Sequence, residues 1–174
     1  GMLGFLYIIY ILIKVENLQF KIKPDLNWKK FWNYTLIKLA IVVVAKTSYM
    51  LFVGKEDLFN VFLNKPGLWI IILFIYTFLS VYPQELIYRT FYFKRYHNLF
   101  DNKRFLVFLN AIVFALAHLF FKNTLVILLT FLGGLLFTMT YRKTQSTLLV
   151  SIEHAIYGCW LFTVGMGGML GFPE

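Results

Sequence analysis

The sequence predicts an all-α fold: a polytopic membrane helix bundle of about six transmembrane helices enclosing an intramembrane polar site. Three observations carry that expectation. Of 174 residues, 60% are hydrophobic and 20% aromatic, only 14% are charged, and the mean hydropathy is +0.71. A soluble domain of this length must cover more polar surface than such a composition supplies. The apolar residues form continuous runs, not the alternating pattern of a membrane β-barrel. Charge is confined to short clusters between the runs, so the formal net charge of +9 reads as helix orientation and not as a nucleic-acid surface.

The runs fall at Met2–Ile13, Tyr34–Val53, Leu68–Phe93, Phe105–Phe121, Thr124–Tyr141 and Leu148–Phe172. Met2–Ile13 is short against the ~20 residues a span needs and reads as a truncated, tilted or interfacial helix. It lacks a basic leader and a small-residue cleavage site, so no cleavable signal peptide is predicted. Tyr34–Val53 carries Lys38 and Lys46, which either snorkel or line a cavity. The following "KEDLFNVFLNK" predicts a short helix lying on the outer surface. In Leu68–Phe93, Pro83 removes a backbone hydrogen bond and predicts a kink or an opened turn beside Glu85. Gly133 and Gly134 predict close helix packing, and "GMGGMLGF" at the end of the last run predicts a loosened helix terminus. Residues 1–174 read as a single membrane-embedded domain, with N-terminal helices over 1–67 and a motif-bearing core over 68–165. A lone cysteine, Cys159, excludes an intramolecular disulfide and a CxxC metal knuckle.

The loops alternate in charge. Lys14, Lys21, Lys23, Lys29 and Lys30 sit on one connection, Arg89, Lys94, Arg95, Lys103 and Arg104 on another, and Arg142 with Lys143 on a third. The opposite loops hold Lys55, Glu56, Asp57 and Lys65, then Lys122. By the positive-inside rule the first set faces the cytoplasm and both termini face outward.

Ions inside a bilayer are expensive, so those that remain need a partner or a task. Glu85, Arg89, His118 and His154 lie in or near the later runs, with Glu153 beside the last. Counting back to the nearest cytoplasmic basic residue at 1.5 Å per residue puts Glu85 ~15 Å deep, His118 ~21 Å and His154 ~16 Å. A carboxylate and two imidazoles from three helices therefore meet at similar depth. Singly, each has a plainer reading. Glu85 and Arg89 at i and i+4 neutralise each other on one face, and either histidine can donate to a backbone carbonyl. Glu153 projects ~100° away from His154 and faces either a neighbouring helix or a polar crevice.

The order and spacing of these residues resemble the CPBP intramembrane proteases, which include the type II CAAX prenyl endopeptidases and bacterial proteins of bacteriocin processing and self-immunity. The first motif is Gln84-Glu85-Leu86-Ile87-Tyr88-Arg89, where the family usually has Glu-Glu-x-x-x-Arg. The second is Phe114-Ala115-Leu116-Ala117-His118. The third is His154 with Gly158 four residues on, where the family carries Asn. The similarity covers roughly residues 68–165. It implies an intramembrane endopeptidase in which Glu85, Arg89, His118, His154 and Glu153 form the catalytic set and water is activated by glutamate and histidine. Gln84 stands at the position of the family's base, and an amide cannot take a proton from water. Glu85 or Glu153 then supplies the carboxylate, or the chain no longer cleaves.

Two histidines and a carboxylate also resemble a catalytic zinc set, so Glu85, His118 and His154 are the ligands if a divalent metal is used. The metal-free version, with no cofactor, is preferred because no HExxH is present. The expected partners are a peptide or membrane-protein substrate and the lipid bilayer, with no nucleic acid. The expected location is the inner (plasma) membrane of a bacterium. The alternatives are a bacteriocin-immunity or partner-binding membrane protein on the same scaffold and, below it, a transporter or proton relay. The last is disfavoured by the lack of an inverted repeat.

Overall fold

The computed structural model describes residues 27–172 together with residues 6, 7, 9, 10, 13, 14 and 25. Helix α1, Trp28–Val53, begins at Asn27, whose side chain accepts from the Lys30 amide, and ends at Gly54. A short 3-10 turn, Lys55–Asp57, and a five-residue helix α2, Asn60–Asn64, follow. They form the short helical element expected between the second and third apolar runs. A continuous rod, α3, spans Pro66–Leu99. Helix α4, Lys103–Leu116, starts on Asn102, and a 3-10 turn, Leu119–Phe121, extends its line. Helix α5, Thr124–Thr144, starts on Asn123 and closes with Arg142 and Lys143 at the negative end of its dipole. Helix α6, Thr147–Thr163, starts on Ser146. Helices α1, α4, α5 and α6 thus each start on an Asn or Ser whose oxygen takes an amide that the helix itself leaves unpaired, whereas α3 starts with Pro66, which has no amide hydrogen to satisfy.

The expectation of about six spans is corrected to about four. Among the described residues, Trp28–Val53, Pro66–Leu99, Lys103–Phe121 and Thr124–Thr144 are long and apolar enough to cross a membrane. The first run, Met2–Ile13, lies for the most part outside the described residues. The last run stops being helical at Thr163, after 17 residues. There the chain turns at Gly165, whose φ of +92° belongs to glycine, and a Cβ on it would strike the Asp57 carbonyl. A 3-10 turn, Gly168–Leu170, completes the tail, so the loosened terminus is present as read.

Pro83 opens α3 more than a simple kink would. The backbone passes through a π segment at Tyr76–Val81, a single α turn at Tyr82–Glu85 with proline in its first positions, and a second π segment at Leu86–Phe91. Proline offers no N–H to the carbonyl four residues back, and the wider i→i+5 pattern absorbs that loss without ending the rod.

Helix α6 packs on α1, α3 and α5 and buries Leu149, Val150, Glu153, His154, Tyr157 and Phe162 along its length. It joins two apolar clusters. One contains Ile72, Tyr76, Val81, Leu161 and Phe162, the other Leu106, Phe114, Phe137, Tyr141 and Tyr157. Helices α4 and α5 form the tightest pair, since a Cβ on Gly134 would come within 2.9 Å of the Ala111 Cα. Gly133 meets only the ring edge of Phe137, so of the two glycines Gly134 alone is required by backbone approach.

Candidate active site

The site is built where the two clusters meet on α6. His154 packs face to face on Phe137, with ring centroids 4.2 Å apart, and edge-on to Tyr76 at 6.0 Å and Phe114 at 5.9 Å. These contacts hold the imidazole in one plane. Its Nδ1 lies 2.7 Å from Oε1 of Glu85, which is fully buried in α3. A carboxylate accepts, so Nδ1 donates, which in the neutral imidazole leaves the lone pair on Nε2. The other Glu85 oxygen, Oε2, lies 3.3 Å from Nε of Arg89, one turn along.

Arg89 is itself fully buried. Its Nη1 donates to Asn110 Oδ1 at 2.9 Å and to the Tyr88 carbonyl at 3.3 Å, and its guanidinium carbon stands 4.8 Å above the Phe114 ring. Asn110 returns Nδ2 to the Tyr88 carbonyl at 2.7 Å and accepts from Thr138 Oγ1 at 2.6 Å. Asn110 and Thr138, which the sequence reading missed, therefore bind α4 and α5 to the ionic turn of α3. The available signal was a lone asparagine inside "VFLNAIVF", an amide that an apolar helix keeps only when it has partners.

His118 stands past the end of α4, in the turn before the 3-10 segment. Its Nδ1 is 2.8 Å from the Phe114 carbonyl. A carbonyl accepts only, so Nδ1 carries the hydrogen and Nε2 is again the open nitrogen. Its ring also packs on Phe114, at 4.9 Å, so one phenylalanine spaces both histidines.

A cavity of about 1280 Å³ opens beside this set, and His118, His154, Gln84, Tyr76 and Lys46 are on its wall. Its wall is otherwise mostly apolar, as a pocket for a chain segment in lipid must be. Gln84 donates from Nε2 to Ser80 Oγ at 2.8 Å, while its Oε1 is buried with no hydrogen-bond partner among the described residues. Lys46 donates to the Tyr157 carbonyl at 2.8 Å, so of the two readings for this lysine it takes the cavity. Glu85 and Arg89 lie behind the wall and reach the cavity through His154.

Glu153 belongs to a different set. Its Oε1 pairs with the Lys38 ammonium of α1 and accepts from the Tyr157 hydroxyl at 2.9 Å, and Lys38 also donates to Thr140 Oγ1 at 3.0 Å. The structure thus brings Glu85, Arg89, His118 and His154 together and turns Glu153 toward α1. Glu85, His118 and His154 were also the possible zinc set. The donors do not fit one: both Glu85 oxygens face other side chains, and among the described residues no group of three or more His, Cys, Asp or Glu is gathered to hold a metal ion. The metalloprotease-like expectation has no support, and no step below passes through an ion.

A family model for the type II CAAX prenyl endopeptidase Rce1-like proteins matches residues 66–160. That is more than half of the chain, and it holds every residue of the Glu85, Arg89, His118 and His154 set. The chain belongs to the Rce1-like family. At family level it is a CAAX-protease-like intramembrane protease, in agreement with the resemblance carried by the three motifs. Neither a curated protein nor a solved structure matches the chain. Helix α1, with Lys38 and Lys46, lies outside the matched residues.

Proposed function

We propose that this Rce1-like chain is an endopeptidase that hydrolyses a peptide bond of a peptide or membrane-protein segment by water activated at the Glu85–His154 pair. The observation that carries the reading is the buried 2.7 Å contact between Glu85 Oε1 and His154 Nδ1, with His154 on the wall of a large apolar cavity. Glu85 does not itself take the proton. It fixes the tautomer of His154 and stabilises the imidazolium that forms, while Arg89 and Asn110 hold the carboxylate in place. His154 Nε2 removes a proton from water as the water oxygen adds to the carbonyl carbon. The same nitrogen then delivers that proton to the departing amine. With one water hydrogen directed at His154 Nε2, the second is held by Gln84 Oε1, an acceptor, which leaves an oxygen lone pair for attack, while His118 Nε2 faces the same cavity as a further acceptor for substrate N–H. This gives Gln84 a task that an amide can perform.

Supporting the membrane setting are the apolar helices and the family; the proposed location is a bacterial plasma membrane, multi-pass, with the basic loops cytoplasmic. Substrate reaches the cavity from the cytoplasmic leaflet, where those loops also attract acidic lipid. One observation favours a second reading. Gln84 replaces the carboxylate usual in the first motif, which suits a scaffold that binds a partner, as an immunity protein would, without cleaving it.

The test is cleavage of a quenched peptide library by the purified chain in nanodiscs, with Glu85→Gln, His118→Ala and His154→Ala beside the parent and melts run on all four. Cleavage by the parent that falls at least a hundredfold in His154→Ala, with its melt preserved, supports hydrolysis. A parent without activity, together with early melting of the variants, leaves the partner-binding reading standing.

A further inference from the structure

Helix α6 has no side chain at Gly158, one turn beyond His154 on the same face. The space is not empty. A Cβ built on Gly158 would overlap the Tyr76 ring, and the nearest atom is the phenolic oxygen. Tyr76 comes from the first π segment of α3, packs edge-on to His154 and Phe162, and lines the same cavity as His154. Its hydroxyl therefore sits where a side chain four residues after His154 would project. Any non-glycine residue at 158 would expel it.

We propose that Tyr76 is a catalytic residue that donates its hydroxyl hydrogen to the carbonyl oxygen of the scissile peptide. A phenol in apolar surroundings needs an acceptor, and a carbonyl beside His154 supplies one. When water adds to the carbonyl carbon, its proton goes to His154 Nε2 and the carbonyl π pair moves onto oxygen. That oxyanion accepts a stronger hydrogen bond from Tyr76 than the ground-state carbonyl did, with no proton transferred. On collapse the electron pair returns, the C–N bond breaks and His154 returns its proton to nitrogen. The donor thus acts most where charge develops, which is the condition for lowering a barrier.

This assignment rests on the hydrolytic reading above, and the experiment separates the two. The probe is the best-cleaved peptide of the quenched library. Tyr76→Phe keeps the ring and its packing while removing the donor. The expected result is a loss in kcat of roughly a hundredfold with KM and melting temperature near those of the parent. A second pair covers the chance that position 76 is only steric. In Tyr76→Ala/Gly158→Asn, an amide donor from α6 fills the space left by the phenol, and kcat recovers above that of Tyr76→Ala alone. Tyr76→Phe with the parent's kcat overturns the assignment and leaves hydrolysis intact. No cleavage by the parent overturns both.

Discussion

Removing either partner of the Lys38–Glu153 pair should destabilise the bundle, and by unequal amounts. The Glu153 side chain is 0% exposed and that of Lys38 is 25% exposed. In Lys38→Met the carboxylate keeps the Tyr157 hydroxyl at 2.9 Å as its remaining donor, in a place that water does not reach. Orphaning a buried charge costs on the order of 3–5 kcal/mol. In Glu153→Gln the orphan is Lys38, which still donates to Thr140 Oγ1 at 3.0 Å and whose long, partly exposed side chain can snorkel along α1 toward the membrane surface. That variant should lose about 1–3 kcal/mol, the cost of an imperfectly paired polar group. The double variant Lys38→Met/Glu153→Leu should recover most of the loss, because an apolar pair of similar volume replaces a buried ion pair at little cost. The assay is chemical denaturation of all four proteins in the same detergent, with cleavage measured on each. Equal losses in the two single variants would refute the asymmetry. A Glu153→Gln protein that melts like the parent but no longer cleaves would refute the placement of Glu153 outside the chemistry.

Three further outcomes follow from the packing. Gly134→Leu should cost at least ~1–3 kcal/mol, because its Cβ meets the Ala111 backbone, whereas Gly133→Ala meets only a ring edge and should fall within about 1 kcal/mol of the parent. Equal denaturation midpoints for the two would show that α4 and α5 separate more easily than their contact implies. Asn110→Ala should cost about 1–3 kcal/mol and lower kcat, since it strips an acceptor from buried Arg89 and frees the guanidinium from its carboxylate-holding pose; an unchanged kcat would mean that Glu85 keeps His154 in place without it. Cleavage should survive dialysis against a strong chelator, given that both Glu85 oxygens face other side chains; activity lost to chelator and regained with zinc would reverse that conclusion.

The ionic turn was legible because the cost of a charge in lipid makes it conspicuous. Glu85, Arg89, His118 and His154 stand out of apolar runs, and all four lie within residues 66–160, which the Rce1-like family model matches. Asn110 and Thr138 were missed for the opposite reason. Neutral polar residues are common enough in apolar helices that only their partners distinguish them, and those partners lie 21 and 28 residues away in sequence. Among the described residues the helix count erred at the C-terminal end: the last run is apolar through Phe172, but Gly165 takes a left-handed turn that hydropathy does not register.

Sequence alone determined that this chain is helical and membrane-embedded, and which ionisable residues its later helices carry, because solvation cost and periodicity act residue by residue. Tertiary structure decided how those residues divide. Glu153 and His154 are neighbours in sequence, yet one turns to Lys38 of α1 and the other to Glu85 of α3. Periodicity places them ~100° apart on α6 but cannot say which helix stands on either side. Nor could it place Tyr76 in the space opposite Gly158, since a missing side chain leaves room without naming what fills it. That depends on how helices from distant parts of the chain pack, and close packing is settled only when all of them are present.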